Sequence, residues 1–273
     1  MISTKLLPHR SDARLAALIT KQILPELPEI NSLLDIGCGD GIVGDLLPSD
    51  CDYRGIDLSN ASIYEKNTED SRITYSRPED LKQTLCQSDK ADAVLMLDVL
   101  EHTPTFTELF ELSLPQANHY VIVSLPNELF LLERLKFMTG KEHPAHSLDL
   151  INLPVGFKHQ YLINTAKARQ ILSSTAKQHG FYLKEEWQRP LRAKNKLVQP
   201  GLWLIRQLSS DQLWSMGSVF IFEKMVFTFA DISTSVSKIE QKKIYKYYNK
   251  KTVLFPNGIS YQILKNLKQK KIK

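Results

Sequence analysis

Two acidic residues and a histidine follow the apolar run that ends at Leu97, in the sequence LDVLEH. The run ADAVLMLDVL predicts a buried strand, and open α/β sheets bind ligands at the carboxyl ends of their strands. Histidine titrates closest to neutral pH and can act as a general base. His102 is therefore a candidate base. The alternative is that Asp98 and Glu101 begin a helix and that His102 only shapes the pocket wall.

A glycine-rich turn, DIGCGDG at 35–41, ends another short apolar run. Glycine has no Cβ, so the backbone can come close to a ligand at such a turn. The spacing is not GxxxxGK[ST], because no lysine follows. The acid at Asp35 argues further against a phosphate ligand. The alternative is a tight turn that needs glycine only for its geometry.

Asp57 ends the next apolar run, YRGIDLS. An ionised carboxylate can accept hydrogen bonds from two neighbouring ribose hydroxyls. An acid some twenty residues past a glycine turn holds the ribose in dinucleotide-binding folds. The alternative role is a cap for the next helix, but Ser59 is better placed for it. We therefore predict that Asp57 binds a ribose.

Further histidines lie in the long connection 128–160. His159 is a second candidate base, with a hydrogen bond to a loop carbonyl as the alternative. His143 and His146 could hold a metal ion together with Asp149. A loop cluster without strict ligand spacing is a weak metal signal, and we predict no metal site.

The elements that must position these residues alternate along the chain, which predicts a doubly wound α/β fold with helices on both faces of a mostly parallel sheet. Seven strands are predicted, at SLLDI, YRGIDLS, RITYS, ADAVLMLDVL, HYVIVSLPN, FYLKEEW and SVFIFEKM. Helical spacing is found at 11–24, 42–47, 61–67, 79–85, 106–114, 164–179, LFLLERLKF and LWLIRQL, with Thr165 as a capping residue. We predict an N-terminal helical segment (1–30), a main domain (31–226) with a lid or substrate insertion (128–160), and a basic extension (227–273).

The composition excludes several classes of protein. With 273 residues, 42% hydrophobic and 24% charged, the chain is typical of globular proteins and not of collagen-like, disordered or disulfide-rich ones. The three cysteines, Cys38, Cys51 and Cys86, are too scattered for a disulfide framework. No stretch has the apolarity of a signal peptide or a membrane span. We expect a cytoplasmic protein.

Together the motifs resemble those of the class I S-adenosylmethionine-dependent methyltransferases. The resemblance extends over about residues 31–188 and is carried by LLDIGCGDG, YRGIDLS, ADAVLMLDVLEHTPTF, VIVSLPN and HQYLI…ARQILSSTAKQHGF. Within the superfamily the chain is most similar to the small-molecule branch related to ubiquinone-biosynthesis O-methyltransferases. The resemblance implies a Rossmann-like sheet of seven strands whose last strand is antiparallel. It also implies S-adenosylmethionine as cofactor and S-adenosylhomocysteine as product.

The resemblance also implies roles for individual residues. Those that would contact the cofactor are Gly37, Cys38 and Gly39 at its methionine end, Asp57 at the ribose, Leu58 at the adenine, and Leu97 and Asp98 near the sulfonium. Asp35 would orient the glycine turn, and a histidine at the place of His159 faces the substrate in the related branch. One departure is Arg77, which stands about where an acid often contacts the adenine amino group. Glu79 or a backbone group could make that contact instead.

The expected reaction is methyl transfer to an oxygen of a small or lipid-linked molecule. The chain lacks the [N/D]PP[Y/F] sequence of amino-directed DNA methyltransferases and the Pro-Cys pair of the pyrimidine carbon-5 enzymes. Two alternatives are an RNA-directed methyltransferase and a non-catalytic cofactor-binding regulator.

The C-terminal region is strongly basic, with 16 Lys and Arg against 4 Asp and Glu in residues 191–273. Tyrosines among the lysines of KKIYKYYNKK could stack on bases. ISYQILKNLKQKKIK combines an apolar helical face with lysines, a pattern that can lie on an anionic membrane. The simplest interpretation is a solvated, partly ordered basic tail whose apolar residues pack on the catalytic domain. We favour the membrane surface over nucleic acid as a partner.

Deleting residues 255–273 should abolish binding to anionic vesicles without changing the affinity for S-adenosylmethionine, because the lysines there meet the lipid charge. Co-sedimentation with phosphatidylglycerol vesicles checks this, with phosphatidylcholine vesicles as the neutral control. Persistent sedimentation of the truncated chain would show that another region binds the membrane.

Overall fold

The computed structural model describes residues 3–6, 15–28, 30–58, 70–152, 156, 158–191 and 199–225. The helix predicted at 61–67, the cap Ser59 and the basic extension 227–273 lie outside the described residues. Eight strands form one sheet: β1 Ser3–Leu6, β2 Ser32–Ile36, β3 Asp52–Leu58, β4 Ile73–Ser76, β5 Ala91–Leu97, β6 Ala117–Pro126, β7 Phe181–Pro190 and β8 Ser215–Lys224.

The helices alternate with the strands, as the sequence predicts. They are α1 Leu15–Leu18, α2 Ile42–Leu46, α3 Leu81–Gln87, α4 Phe106–Ser113, α5 Leu131–Met138, α6 Thr165–Gln178, α7 Gln199–Leu208 and α8 Asp211–Trp214. The N-terminal helix continues from α1 as a π-helix, Ile19–Ile23, and a 3₁₀ turn, Leu24–Glu26, that contains Pro25. In the described part of the chain, no helix combines the length and apolarity needed to cross a membrane.

The strand order is β1-β7-β8-β6-β5-β2-β3-β4. All neighbouring strands are parallel except β8, which runs antiparallel to both β6 and β7. This confirms the doubly wound α/β fold and its antiparallel last strand. Successive strand residues point to opposite faces. Leu33 therefore packs with Ile19 and Ile23 on one face, while Leu34 packs with Phe110 and Leu172 on the other.

The sheet has one strand more than the predicted seven. Residues 3–6 lie in the segment predicted to be helical but pair in parallel with β7, from Ser3 opposite Glu185 to Leu6 opposite Gln188. The short strand covers the backbone of β7, which would otherwise be an open edge. Lys5 secures it through ion pairs with Glu26 and Glu185.

The helix α6 is capped by Asn164 and not by Thr165. The Asn164 side chain accepts a hydrogen bond from the Lys167 N–H at 3.0 Å, and its backbone is extended, as a cap requires. Thr165 lies in the first turn, where it is buried and its Oγ1 accepts a hydrogen bond from Gln212.

The predicted insertion 128–160 has helical structure among its described residues. It contains α5 and two 3₁₀ turns, Pro144–His146 and Leu148–Leu150. Several of its apolar side chains face outward: Leu132, Leu135, Met138, Leu148 and Ile151 are all exposed.

A buried arginine ties the centre of the sheet to the end of β5. Arg189 is 1% exposed and donates to both carboxylate oxygens of Asp98, at 3.1 and 3.3 Å, and to the Leu125 carbonyl at 3.0 Å. The guanidinium lies against Gly217 of β8, where an added Cβ would come within 2.3 Å of Nη2. Only glycine leaves room for this side chain.

Gly217→Ala should lower the free energy of unfolding by about 1–3 kcal/mol, because the new methyl group displaces Arg189 in a packed interior. Urea unfolding measures the change. Gly201→Ala is the matched control: no atom lies within 4 Å of its added Cβ, and alanine favours the helix by up to about 1 kcal/mol. A Gly217→Ala protein as stable as the wild type would contradict this packing.

Candidate functional site

A cavity of about 400 Å³ opens at the carboxyl ends of β2, β3 and β5. Seven residues singled out from the sequence line it: Gly37, Gly39, Asp57, Leu58, Leu97, Asp98 and His102. Parallel strands present their carboxyl ends at one edge of the sheet, which explains why residues far apart in the chain meet here.

Asp57 joins the glycine turn to the end of β3. Its Oδ2 accepts a hydrogen bond from the Gly39 N–H at 2.5 Å, and its Oδ1 accepts one from the Leu58 N–H at 2.6 Å. Burial raises the pKa of the carboxyl, and these two N–H groups oppose that effect. The turn and the carboxylate are thus fixed relative to each other beside the cavity.

The glycine turn is held tightly against the loop that follows β5. Gly37 has a φ of +75°, and a Cβ there would lie 2.4 Å from the nearest methyl carbon of Val99. Its N–H donates to the Ile56 carbonyl at 2.7 Å. Both the backbone conformation and the space require glycine at this position.

Asp35 and Cys38 lie beneath the turn and do not line the cavity. Asp35 is 2% exposed and accepts a hydrogen bond from the Tyr53 hydroxyl at 3.0 Å. Burial raises its pKa to about 7. The Cys38 side chain packs towards Gly55, and burial raises the pKa of its thiol. The Asp35 side chain therefore contacts β3 through Tyr53, and Cys38 is a packing residue beside the cavity.

Glu79, the suggested adenine contact, also lies away from the cavity. Its side chain is exposed at the surface, with Oε1 3.9 Å from the Arg77 guanidinium. The neighbouring Leu81 lines the cavity instead. Glu79 lies before the start of α3 and points into solvent, and the first residue of that helix, Leu81, points inward.

Asp98 adopts the left-handed conformation, with a φ of +55°. Beyond its contacts with Arg189, its Oδ1 accepts a hydrogen bond from the Ser124 hydroxyl at 2.6 Å. Arg189 was not among the residues identified from the sequence. Its position two residues beyond Trp187 in a strand was the available signal that it faces the same side as an apolar residue. Arginine is usually exposed to solvent, so this signal is weak.

Glu128, also missed from the sequence, lies at the centre of a histidine cluster. It is 2% exposed and accepts hydrogen bonds from the Ile163 N–H at 2.7 Å and, through Oε1, from His159 Nδ1 at 2.6 Å and His146 Nε2 at 3.1 Å. Burial raises the pKa of Glu128, but the hydrogen bonds outweigh it and hold the pKa at about 2. His143 Nδ1 lies 3.5 Å from the same carboxylate oxygen.

Glu101 has a different environment from the other acids. It is fully buried, and neither carboxylate oxygen has a hydrogen-bond partner among the described residues. Burial, and then repulsion from Asp98, raise its pKa well above the usual range. The rings of His102 and His159 meet edge to face beside it, with centroids 4.4 Å apart. Burial, and then His159, lower the pKa of His102.

Two groups in the described residues bring possible metal-ligand atoms within 4.8 Å of one another: Glu101 with His102 and His159, and Glu128 with His143 and His146. Asp149, the third member of the trio considered from the sequence, is exposed and belongs to neither group. His159 does not line the cavity but contacts His102, which does.

A family described as "Methyltransferase domain" matches residues 8–186, well over half of the chain. No curated protein matches the sequence significantly. Among solved structures, the chain is similar to a SAM-dependent methyltransferase from Archaeoglobus fulgidus, with 18% identity and a TM-score of 0.50 over 77% of this chain and 93% of the other. An O-methyltransferase family protein from Burkholderia thailandensis is 12% identical with a TM-score of 0.47, over 80% of this chain and 57% of the other.

Asp35→Asn should flatten the pH dependence of stability. Because the folded-state pKa of about 7 exceeds the ordinary value of 3.8, the folded state holds a proton that the unfolded state has lost. Wild-type stability therefore falls as pH rises from about 4 to about 7, relative to the variant. Urea unfolding between pH 5 and pH 8 measures the difference.

Tyr53→Phe is the matched comparison for this experiment. It removes the hydroxyl that stabilises the ionised Asp35, so its folded-state pKa should rise further and its stability should keep falling to a higher pH than that of the wild type. Parallel curves for the wild type and Asp35→Asn would contradict the assignment of a buried carboxyl that titrates near neutrality.

Proposed function

Since the chain belongs to the methyltransferase-domain family and is a SAM-dependent methyltransferase, we propose that it methylates an oxygen of a small or lipid-linked molecule. The observation that carries the proposal is the cavity at the strand ends, with Asp57 beside the glycine turn and His102 among the other lining residues. A carboxylate and an imidazole in one cavity can serve a ribose and a hydroxyl acceptor, respectively.

The cavity's carboxylate acceptor and apolar walls suit S-adenosylmethionine. Asp57 offers carboxylate oxygens to the ribose hydroxyls, in charge-assisted hydrogen bonds. Leu58 and Leu81 supply apolar surface for the adenine, while Gly39 lets the backbone approach the methionine end. Leu97 and Asp98 line the same cavity and would form its wall near the sulfonium.

The cofactor, when bound, supplies a methyl group that the sulfonium already activates. The protein's task is then to align the acceptor oxygen with that methyl group and to exclude water. A hydroxyl acceptor must also lose its proton near the transition state. The imidazole of His102 lines the cavity and the ring of His159 packs against it, so a group able to take up that proton is at hand, which favours an oxygen over a carbon acceptor.

Exposed apolar side chains support a lipid-linked acceptor. Leu132, Leu135 and Met138 lie on α5, and Met138 is 82% exposed. Leu148 and Ile151 are exposed in the same insertion. Clustered exposed apolar residues often mark a binding or membrane-facing surface. Such a surface would let the enzyme take an acceptor whose apolar part stays in a bilayer.

Asp57→Ala should weaken binding of S-adenosylmethionine by about 2–3 kcal/mol, through loss of charge-assisted hydrogen bonds. Calorimetric titration measures the affinity, and circular dichroism checks that the variant is folded. Glu79→Ala is the matched control and should leave the affinity unchanged, because its side chain lies at the surface. Unchanged affinity in Asp57→Ala would remove the ribose assignment.

The acceptor is tested by transfer of labelled methyl from S-adenosylmethionine into lipid and water-soluble fractions of a cell extract. Mass spectrometry of the labelled product locates the methyl group. A methyl ether or ester in either fraction is the expected result, and recovery in the lipid fraction supports the lipid-linked class. A methyl group on nitrogen or carbon would overturn the proposed oxygen chemistry.

A further inference from the structure

Glu101, His102 and His159 form a compact group of metal-ligand atoms beside the cavity. One ligand atom of each lies within 4.8 Å of the others. Glu101 and His102 come from the 3₁₀ turn Leu100–His102 after β5, and His159 comes from the segment before α6. The Gln160 N–H donates to the Glu101 carbonyl at 2.7 Å, so the backbone itself holds the two segments together.

The buried carboxylate of Glu101 is the observation that points to a ligand. The side chain is fully buried, and both of its oxygens lack a hydrogen-bond partner among the described residues. Burial of a carboxylate without a partner is costly, and proteins pair such groups with cations or metal ions. A bound cation would satisfy both oxygens.

The two histidines offer free nitrogens towards the same place. His159 Nδ1 is engaged with Glu128 Oε1 at 2.6 Å, which leaves its Nε2 for another partner. His102 Nδ1 is buried and has no partner in the described part of the chain. A carboxylate that accepts from the second ring nitrogen of a ligating histidine is the usual arrangement at metal sites, where it orients the imidazole.

In the second group, Glu128 with His143 and His146, the carboxylate suits the positioning of His159 better than the binding of an ion. Both oxygens of Glu128 already accept hydrogen bonds, Oε2 from the Ile163 N–H and Oε1 from His159. A carboxylate so engaged can orient His159 but has less capacity left to hold an ion. The unpaired acid is Glu101, and it lies next to the cavity.

We propose that Glu101, His102 and His159 bind a divalent transition-metal ion at the acceptor end of the cavity, with Glu128 positioning His159. Two imidazoles and one carboxylate suit zinc, iron, cobalt or manganese and leave coordination positions open. His102 lines the cavity, so those open positions face the acceptor. The inference deepens the proposed function and rests on it for the identity of the acceptor group.

The metal ion would take over the role that a general base plays in other oxygen-directed enzymes. An acceptor hydroxyl bound to a divalent ion loses its proton more readily, and the proton passes to solvent. The oxygen lone pair then forms the new bond to the methyl carbon. The carbon–sulfur bond breaks with its electron pair left on sulfur, which gives S-adenosylhomocysteine. His102 and His159 act as ligands in this reaction and not as bases.

The test uses Co²⁺ as the probe, titrated into the full-length, chelator-treated protein by calorimetry and visible absorption. We expect one equivalent to bind with the absorption bands of a nitrogen–oxygen site. Glu101→Gln and His159→Ala should lose saturable binding, and Glu128→Gln should weaken it by roughly 10–100-fold, the usual effect of losing the partner of a ligating histidine. His146→Gln is the matched control and should bind as the wild type does.

A circular dichroism spectrum like that of the wild type shows that each variant is folded, and Glu101→Gln keeps the size and shape of the side chain. Unchanged Co²⁺ binding in Glu101→Gln and His159→Ala, or loss in His146→Gln alone, would overturn the assignment. Cofactor binding and methyl transfer that persist in chelated protein without Co²⁺ binding would refute the metal site and leave the proposed function intact. Co²⁺ binding at these residues without methyl transfer to any oxygen acceptor would refute the proposed function and leave the site standing.

Discussion

The guanidinium of Arg189 is buried against the strand β8 of the sheet. A buried charge of this kind requires an opposite charge and hydrogen-bond acceptors. Asp98 and the Leu125 carbonyl provide them, from the ends of β5 and β6. Gly217 provides the space from β8. The pair therefore connects β7, β8, β6 and β5 at the edge where the cavity opens. Loss of either charge would leave the other buried without its partner, at a cost of several kcal/mol.

The position of Asp98 determines where the following residues lie. Its left-handed backbone bends the chain at the end of β5, and the 3₁₀ turn Leu100–His102 begins two residues later. That turn directs Glu101 into the interior and His102 into the cavity. The candidate metal site and the cavity thus follow the same backbone bend, and Arg189 holds the carboxylate of the residue at which the chain bends.

The acids near this edge have different partners and therefore different chemistry. Asp57 accepts from two backbone N–H groups, Asp98 is paired with Arg189, and Glu128 accepts from histidines and a backbone N–H. Asp35 has only the Tyr53 hydroxyl, and Glu101 has no side-chain partner in the described residues. We propose that Asp57 binds the cofactor and that Glu101, with help from Glu128, binds the metal ion, while Asp98 supports the strand ends through Arg189.

Local patterns in the sequence determined the order of the elements, the parallel sheet and the residues at the strand ends. Apolar runs identify buried strands whatever their neighbours, and the carboxyl end of a parallel strand is where ligands bind. Asp57, Asp98 and His102 could therefore be placed beside one cavity from their positions alone. The family resemblance added the cofactor. The strand at 3–6 escaped prediction because four residues carry little periodicity and depend on the edge of β7 for their partner.

The tertiary structure decided which side chains line the cavity and which pack behind it or face solvent. Cys38 lies between two residues that line the cavity, Gly37 and Gly39, and Glu79 lies two positions before a third, Leu81. Cys38 nevertheless packs inward and Glu79 faces solvent. The spacing of residues in the sequence does not encode this difference in side-chain direction. Glu128 and His159 are separated by 30 intervening residues, and Arg189 is 91 positions from Asp98. Such pairs form only because distant segments pack together, and a buried charge acquires its partner through that packing and not through its neighbours in the chain.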